Sequence, residues 1–273
     1  LSSAASDVYK RQVLDAVMVP VSRICDHGEV WILLAAILLA IPKTRKLGTC
    51  VACGLALDLL FCNLALKPLI GRVRPFAVNP TVSLLIPPPV DASFPSGHTQ
   101  NIVGTTASLF ACRKEKWVRI VCAVLMVLVP FSRMYLGVHT PLDVGVSFVL
   151  ALALAAALYP AFRTEQTAKK ATPWILLGAA ALCGGYLLYA SAQARCDWPA
   201  GSEDLANITH GLKNAYTMMG ALLGFLIVYF ADEKKLRFDV HAPFWGQVLK
   251  LVLGLALIVA IKAGLKPVLL ALF

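Results

Sequence analysis

"WVRIVCAVLMVLVPFSRMYLGVHTPLDVGVSFVLALALAAALYPA", residues 117–161, holds two long apolar runs divided by a short polar insert. Each run is roughly the 20 residues that a helix needs to cross the hydrocarbon core of a bilayer. Residues 117–136 and 141–161 therefore read as two membrane spans joined by a tight turn. The turn carries its own helix-start signal. Thr140 suits an N-cap, Pro141 the first helical position, and Asp143 the third, a capping box with Asp in place of Glu. Capping is a sufficient structural reason for Asp143. It does not explain Arg133 and His139, which stand just ahead of that helix. A His at a helix entrance with a carboxylate four residues on can be oriented by it, leaving the other ring nitrogen free to act.

The same pattern continues along the chain. Of 273 residues, 59% are hydrophobic and only 15% are charged, with a mean hydropathy of +0.74. That balance fits an all-α polytopic membrane bundle and excludes an ordinary soluble domain. About eight spans are expected, near 28–42, 47–66, 96–112, 117–136, 141–161, 173–192, 212–230 and 247–270. The segment before the first, "VLDAVMVPVSRICDHG", carries Asp15, Pro20 and Arg23 and reads as an interfacial helix. The opening "LSSAASDVYKRQ" has no apolar signal-peptide core and resembles translated adapter sequence. Residues 1–12 are accordingly expected to be a non-native leader. The loop at 163–172 divides five spans from three, giving a core of residues 13–162 and an extension of 163–273.

Charge sets the orientation. Alternate loops read "KTRK" (43–46), "RKEKWVR" (113–119), "RTEQTAKK" (163–170) and "DEKKLR" (232–237). They hold three, four, three and three basic residues, more than half of the 25 Lys and Arg. All four fall on one side of the expected topology, which the positive-inside rule makes cytoplasmic. The net charge of +10 then needs no nucleic acid. The opposite side receives residues 67–95, 133–140 and 193–211.

Three polar clusters meet on that outer side. "KPLIGRVRP" (67–75) supplies Lys67, Arg72 and Arg74 where Lys and Arg are otherwise scarce, which favours anion binding over helix anchoring. "FPSGHTQN" (94–101) opens a helix: Pro95 stops what precedes, Ser96 caps, and Gly97 lets the backbone approach a ligand. Free N–H groups at a helix start bind anions, and His98 beside them can move a proton. The third cluster is the turn already described. Together they offer cations and N–H groups for the charge that spreads over a phosphoryl transition state. Two His provide a nucleophile and a general acid. No clustered Asp, Glu and His set suggests a metal cage, so metal-independent chemistry is expected.

Lys67 to Pro75 (K-x6-RP), PSGH at 95–98, and Ser132 to Asp143 (SR-x5-H-x3-D) resemble the three signature motifs of the type 2 phosphatidic acid phosphatase family. That family includes lipid phosphate phosphatases, undecaprenyl pyrophosphate phosphatases and glucose-6-phosphatase, with vanadium haloperoxidases as soluble relatives. The resemblance covers about residues 13–162. It implies that His139 attacks phosphorus to form a phosphohistidine, with Asp143 orienting its ring. His98 would protonate the leaving oxygen and then activate water. Lys67, Arg74 and Arg133, with the Ser96 hydroxyl and the Gly97 N–H, would hold the phosphate, and Arg72 would be secondary. No cofactor is implied. The expected substrate is a membrane lipid phosphate: undecaprenyl pyrophosphate first, then phosphatidic acid or phosphatidylglycerol phosphate, handled at the outer face of a bacterial plasma membrane. A phosphotransferase of the same family is a close alternative, and a non-enzymatic lipid transporter a more distant one.

Other polar residues read more plainly. Asp58 sits mid-span, where a carboxylate either serves function or bonds a neighbouring helix. Lys262 and Lys266 suit snorkelling near the end of the last span. Cys50 and Cys53 have CxxC spacing without a second pair, and most of the eight Cys pack as small hydrophobes. Asn207-Ile-Thr209 forms a sequon.

Overall fold

The computed structural model describes residues 3–24, 28–79, 82, 84–89, 91–199, 202–236 and 241–272. Among them every regular element is helical: α1 Ser3–Arg23, α2 Gly28–Ala40, α3 Arg45–Leu59, α4 Lys67–Ile70, α5 Pro75–Val78, α6 Gly97–Cys112, α7 Lys116–Tyr135, α8 Pro141–Leu158, α9 Glu165–Gln193, α10 Glu203–Ala231 and α11 Phe244–Leu272. A wider π-helical stretch, Leu60–Leu66, joins α3 to α4.

Six described helical stretches are long and apolar enough to cross a membrane, against the eight expected. The two that fall short are α2, with 13 residues, and α6, with 16. At 1.5 Å per residue both are shorter than the hydrocarbon layer of about 30 Å. The chain itself sets these ends. Ile41, ahead of Pro42, is pushed into extended backbone and stops α2. The start of α6 is fixed by its Ser96 cap, and its buried face is polar, with Thr99, Gln100, Thr105, Thr106 and Ser108. Of the three later spans, α9, α10 and α11 begin several residues earlier than their apolar runs.

α6 is the axis of the bundle, packed against α3, α7 and α8. Ile102 and Val103 lie in one apolar core with Trp31, Val129 and Ala151. A second core joins Cys53 of α3 and Leu60 of the π-helical stretch to α9 and α10 through Leu176, Cys183, Ala215 and Leu222. Cys50 and Cys53 are buried free thiols. Lipid supplies little hydrophobic drive between helices, so close approach matters more. Gly48 shows it: a Cβ there would lie 2.7 Å from the Leu39 backbone nitrogen on α2. α11 behaves differently. Val252, Leu253, Leu257, Ile258 and Val259 are exposed on the protein, as suits a helix whose surroundings are acyl chains.

The basic loops gather at one end. Arg45 pairs with Asp232 at 3.0 Å, and Lys46 donates to the Arg163 carbonyl at 3.1 Å. Tyr229 donates to the Lys169 carbonyl at 2.7 Å. Arg237 and the side chains of Lys262 and Lys266 lie outside what is described. The three motif clusters sit at the opposite ends of the same helices, since they close α4 and α7 and open α6 and α8.

Candidate active site

Lys67 is placed by the π-helical stretch. Its N–H bonds back five residues to the Cys62 carbonyl instead of four. One extra residue in a helical turn rotates everything after it, and such turns recur at functional sites. Here the rotation buries the Lys67 side chain. Gly71 then ends α4 in the left-handed conformation, φ 56°, where a glycine carries no steric cost. Arg74 precedes Pro75 and is extended, which turns its guanidinium back into the bundle.

That guanidinium makes the densest set of contacts. Arg74 Nε donates to the Asp91 carbonyl at 2.7 Å and Nη1 to the Val138 carbonyl at 3.0 Å. Nη2 donates to the Asp91 carboxylate, whose other oxygen accepts from Lys67 Nζ. Asp91 thus sits on two of the three cations expected to hold phosphate. Burial opposes its charge, but Lys67 and Arg74 outweigh that and hold the carboxyl well below its usual range.

His139 is 4% exposed, and Arg74 Nη1 lies 3.5 Å from its Nε2. A guanidinium only donates, so Nε2 is the ring's acceptor and Nδ1 carries the proton. Burial first, then Arg74, Arg133, Lys67 and His98, hold the imidazole well below the ordinary His value. It is therefore neutral at pH 7, with its lone pair beside a fixed cation. Nδ1 faces Asp143 Oδ2 at 3.9 Å, too long for a hydrogen bond. Asp143 is held where it is by others. Oδ2 accepts from the Thr140 N–H and from Ser93 Oγ, both at 2.7 Å, and Oδ1 from Arg72 at 2.9 Å. The capping box at Thr140 and Asp143 is complete.

The remaining expected residues join them. Ser96 caps α6, its Oγ accepting from the Thr99 N–H at 3.4 Å and the Thr99 hydroxyl at 3.0 Å. Gly97 and His98 open the helix, half-buried, with His98 within electrostatic reach of His139. Arg133 is 2% exposed in the last turn of α7, and its Nη1 donates to Ser22 Oγ on α1. Just beyond it Gly137 takes φ 70°, and a Cβ there would lie 2.3 Å from Val82 Cγ1.

Four contributors escape sequence reasoning: Asp91, Ser93, Ser147, and Arg72 in the strength of its role. Ser147 accepts from the Ser96 N–H at 2.7 Å and donates to the Asp143 carbonyl at 2.6 Å. Only its position four residues after Asp143, on the same helix face, hinted at it. Asp58 is 1% exposed against α6, where Gly104 makes room for its carboxylate. Its Oδ1 has no hydrogen-bond partner among the described residues. The sequon residue Asn207 lies within α10 and is half-buried. Among the described residues no group of three or more His, Cys, Asp or Glu is arranged to hold a metal.

A buried set of cations around a neutral His, at the ends of membrane helices, defines a membrane protein with a cationic pocket suited to an anion. The comparisons with known proteins specify it. The PAP2 superfamily profile matches residues 47–167, and that of the PAP2 superfamily phosphatase transmembrane extension matches 216–271. The undecaprenyl-diphosphatase BcrC of Bacillus subtilis is 34% identical over 149 residues, 53% of this chain and 72% of the relative. An undecaprenyl-diphosphatase of Sulfolobus acidocaldarius is 40% identical over 122 residues, and the match spans 44% of this chain and only 58% of that protein. The crystal structure of a PAP2-type phosphatidylglycerolphosphate phosphatase from Bacillus subtilis aligns with a TM-score of 0.46 at 29% identity, covering 54% of this chain and 75% of that one. The chain belongs to the PAP2 superfamily.

Proposed function

We propose that the protein is a membrane lipid phosphatase whose substrate is undecaprenyl diphosphate first, with phosphatidic acid or phosphatidylglycerol phosphate as the alternatives. One observation carries the reading: a buried, neutral His139 whose Nε2 lies 3.5 Å from the Arg74 guanidinium, inside a ring of cations. The names of the similar undecaprenyl-diphosphatases support the substrate.

In the first step His139 Nε2 attacks phosphorus. An N–P bond forms, the bond to the leaving oxygen breaks, and His98 gives that oxygen a proton. In the second step His98 takes a proton from water as the water oxygen attacks phosphorus. The N–P bond breaks, releasing phosphate and a neutral His139. Asp143 supports the positive ring between the two steps. Arg74, Arg133 and Lys67, with the Gly97 N–H and the Ser96 hydroxyl, carry the charge on the equatorial oxygens. The site faces outward from a bacterial plasma membrane, a placement supported by the basic loops gathered at the other end of the bundle. Residues 13–162 form the catalytic core, and 163–273 extend it.

Phosphate release from a detergent-solubilised panel of polyprenyl diphosphate and lipid monophosphates, with and without chelator, tests the reading. Release that survives chelator and stops with vanadate is expected. Loss with chelator, restored by Mg²⁺, overturns the metal-free mechanism, and release from no lipid overturns the function.

A further inference from the structure

α10 lies outside the segment matched by the PAP2 core profile, yet it forms one wall of a cleft whose other wall is the site. Lys67 and Asp91 line the cleft from the core, and Asn207, His210 and Asn214 from α10. These three are spaced by three and four residues, so they share one helix face. Further along, α10 turns apolar, with Leu222, Leu223, Leu226 and Ile227, whereas at this level it carries two amides and an imidazole. The orientation of His210 follows from its neighbour. Asn214 Nδ2 lies 3.2 Å from His210 Nδ1, and an amide nitrogen only donates. Nδ1 therefore accepts, and the imidazole proton sits on Nε2 as a donor. Gly211, between them, brings α10 close to α9: a Cβ there would lie 2.2 Å from the Tyr186 hydroxyl.

The cleft is also close to the reacting atoms. One Asp91 oxygen is on Lys67, the other on Arg74, and the same Arg74 reaches His139. A single carboxylate thus spans from the guanidinium beside the nucleophile to the edge of the α10 wall. Its place is an anion seat next to the one that the attacked phosphoryl group would fill. The amides and the imidazole add hydrogen-bond donors, which suit a second phosphoryl group joined to the first through one bridging oxygen, whose charge Lys67 and Arg74 already partly balance.

We propose that Asn207, His210 and Asn214 form a subsite for the lipid-linked phosphoryl group of a diphosphate substrate, which displaces Asp91 from Lys67 on binding. These are specificity residues: they discriminate diphosphate from monophosphate lipids and leave the bond-breaking step to the core. The inference rests on the phosphatase reading above.

The test compares a polyprenyl diphosphate with phosphatidic acid on the purified full chain. In Asn207→Leu and His210→Leu, kcat/KM for the diphosphate relative to the monophosphate should fall about tenfold, the cost of a lost hydrogen bond to a charged group. The fall should lie in KM, not kcat, and His210→Gln, which keeps a donor, should recover part of it. Inorganic pyrophosphate and phosphate provide a second readout as inhibitors. Pyrophosphate should bind the wild type more tightly than phosphate, and the Leu variants should narrow that gap. A wild type active on both lipids whose variants keep the ratio and the gap overturns the subsite alone. A wild type that releases phosphate from neither overturns the phosphatase reading and the subsite with it.

Discussion

Both ends of this bundle are rich in charge, but the charges behave differently. At the basic end, Arg45 and Asp232 have side chains 46% and 24% exposed, and Lys169 and Glu233 are 68% and 53% exposed across 3.9 Å. Exposed pairs of that kind contribute about 0–1 kcal/mol. At the site end, Lys67, Arg74 and Arg133 are all under 10% exposed, and each is held by a named acceptor. Burying a cation costs several kcal/mol before pairing offsets it. Three such costs within one cluster are what the proposed phosphate-binding role would require. Burial, more than charge count, separates a topology signal from a binding site.

The contrast fails outright if His139, the proposed nucleophile, is dispensable. His139→Ala should lower turnover at least about 10³-fold on every substrate, and a phosphorylated protein trapped in the first seconds should carry phosphate at residue 139. Phosphate at residue 98 would invert the assignment. His98→Ala should cost about 10²–10⁴-fold on a lipid monoester, whose alkoxide leaves only with a proton. Its cost should be smaller on p-nitrophenyl phosphate, and equal losses on both would remove the general-acid role.

Two subtler measurements sharpen the contrast. The His139 imidazole is held below its ordinary 6.5. Its free base, the form proposed to attack, therefore persists as pH falls past 6.5 and is lost only at the lower folded-state value. The acid limb of kcat/KM, corrected for ionisation of the substrate, should lie below 6.5, and a limb at or above it would contradict the burial argument. Asp91→Asn removes the internal anion from Lys67 and Arg74. The free protein should melt at a lower temperature, while inhibition by inorganic phosphate should tighten about tenfold. Weaker phosphate binding would mean that Asp91 recruits the ligand instead of competing with it. The smallest effect belongs to the other end. Arg45→Ala should leave turnover within about twofold and stability within about 1 kcal/mol.

What the sequence disclosed follows from how each residue is fixed. Ser96, Thr140 and Asp143 are tied to helix starts, whose chemistry is local and readable. Lys67, Arg74, Arg133, His98 and His139 stand out by being polar at the edges of apolar runs. Asp91 and Ser93 lie in a stretch with no periodicity, where only the path of the folded chain brings them under Arg74 and Asp143. Asn207 and His210 read as one half of a sequon and an unremarked His until α10 packs against α4. Six of the eight expected spans reach membrane-crossing length among the described residues, because apolar runs report composition while helix length is set by caps and prolines such as Ser96 and Pro42.

Ser147 ties the first residues of two distant segments through a single hydroxyl, accepting from the Ser96 N–H and donating to the Asp143 carbonyl. For anyone recombining this chain with a relative, crossover points are therefore unequal. A graft of residues 91–100 that leaves position 147 behind, and finds Ala or Leu there, strands a buried amide at the mouth of α6. Moved together with 140–147, the same graft keeps its fastening. The exchangeable unit is thus a discontinuous pair of strips, and libraries cut at the intervening loops will be rich in inactive hybrids whose every individual motif is intact.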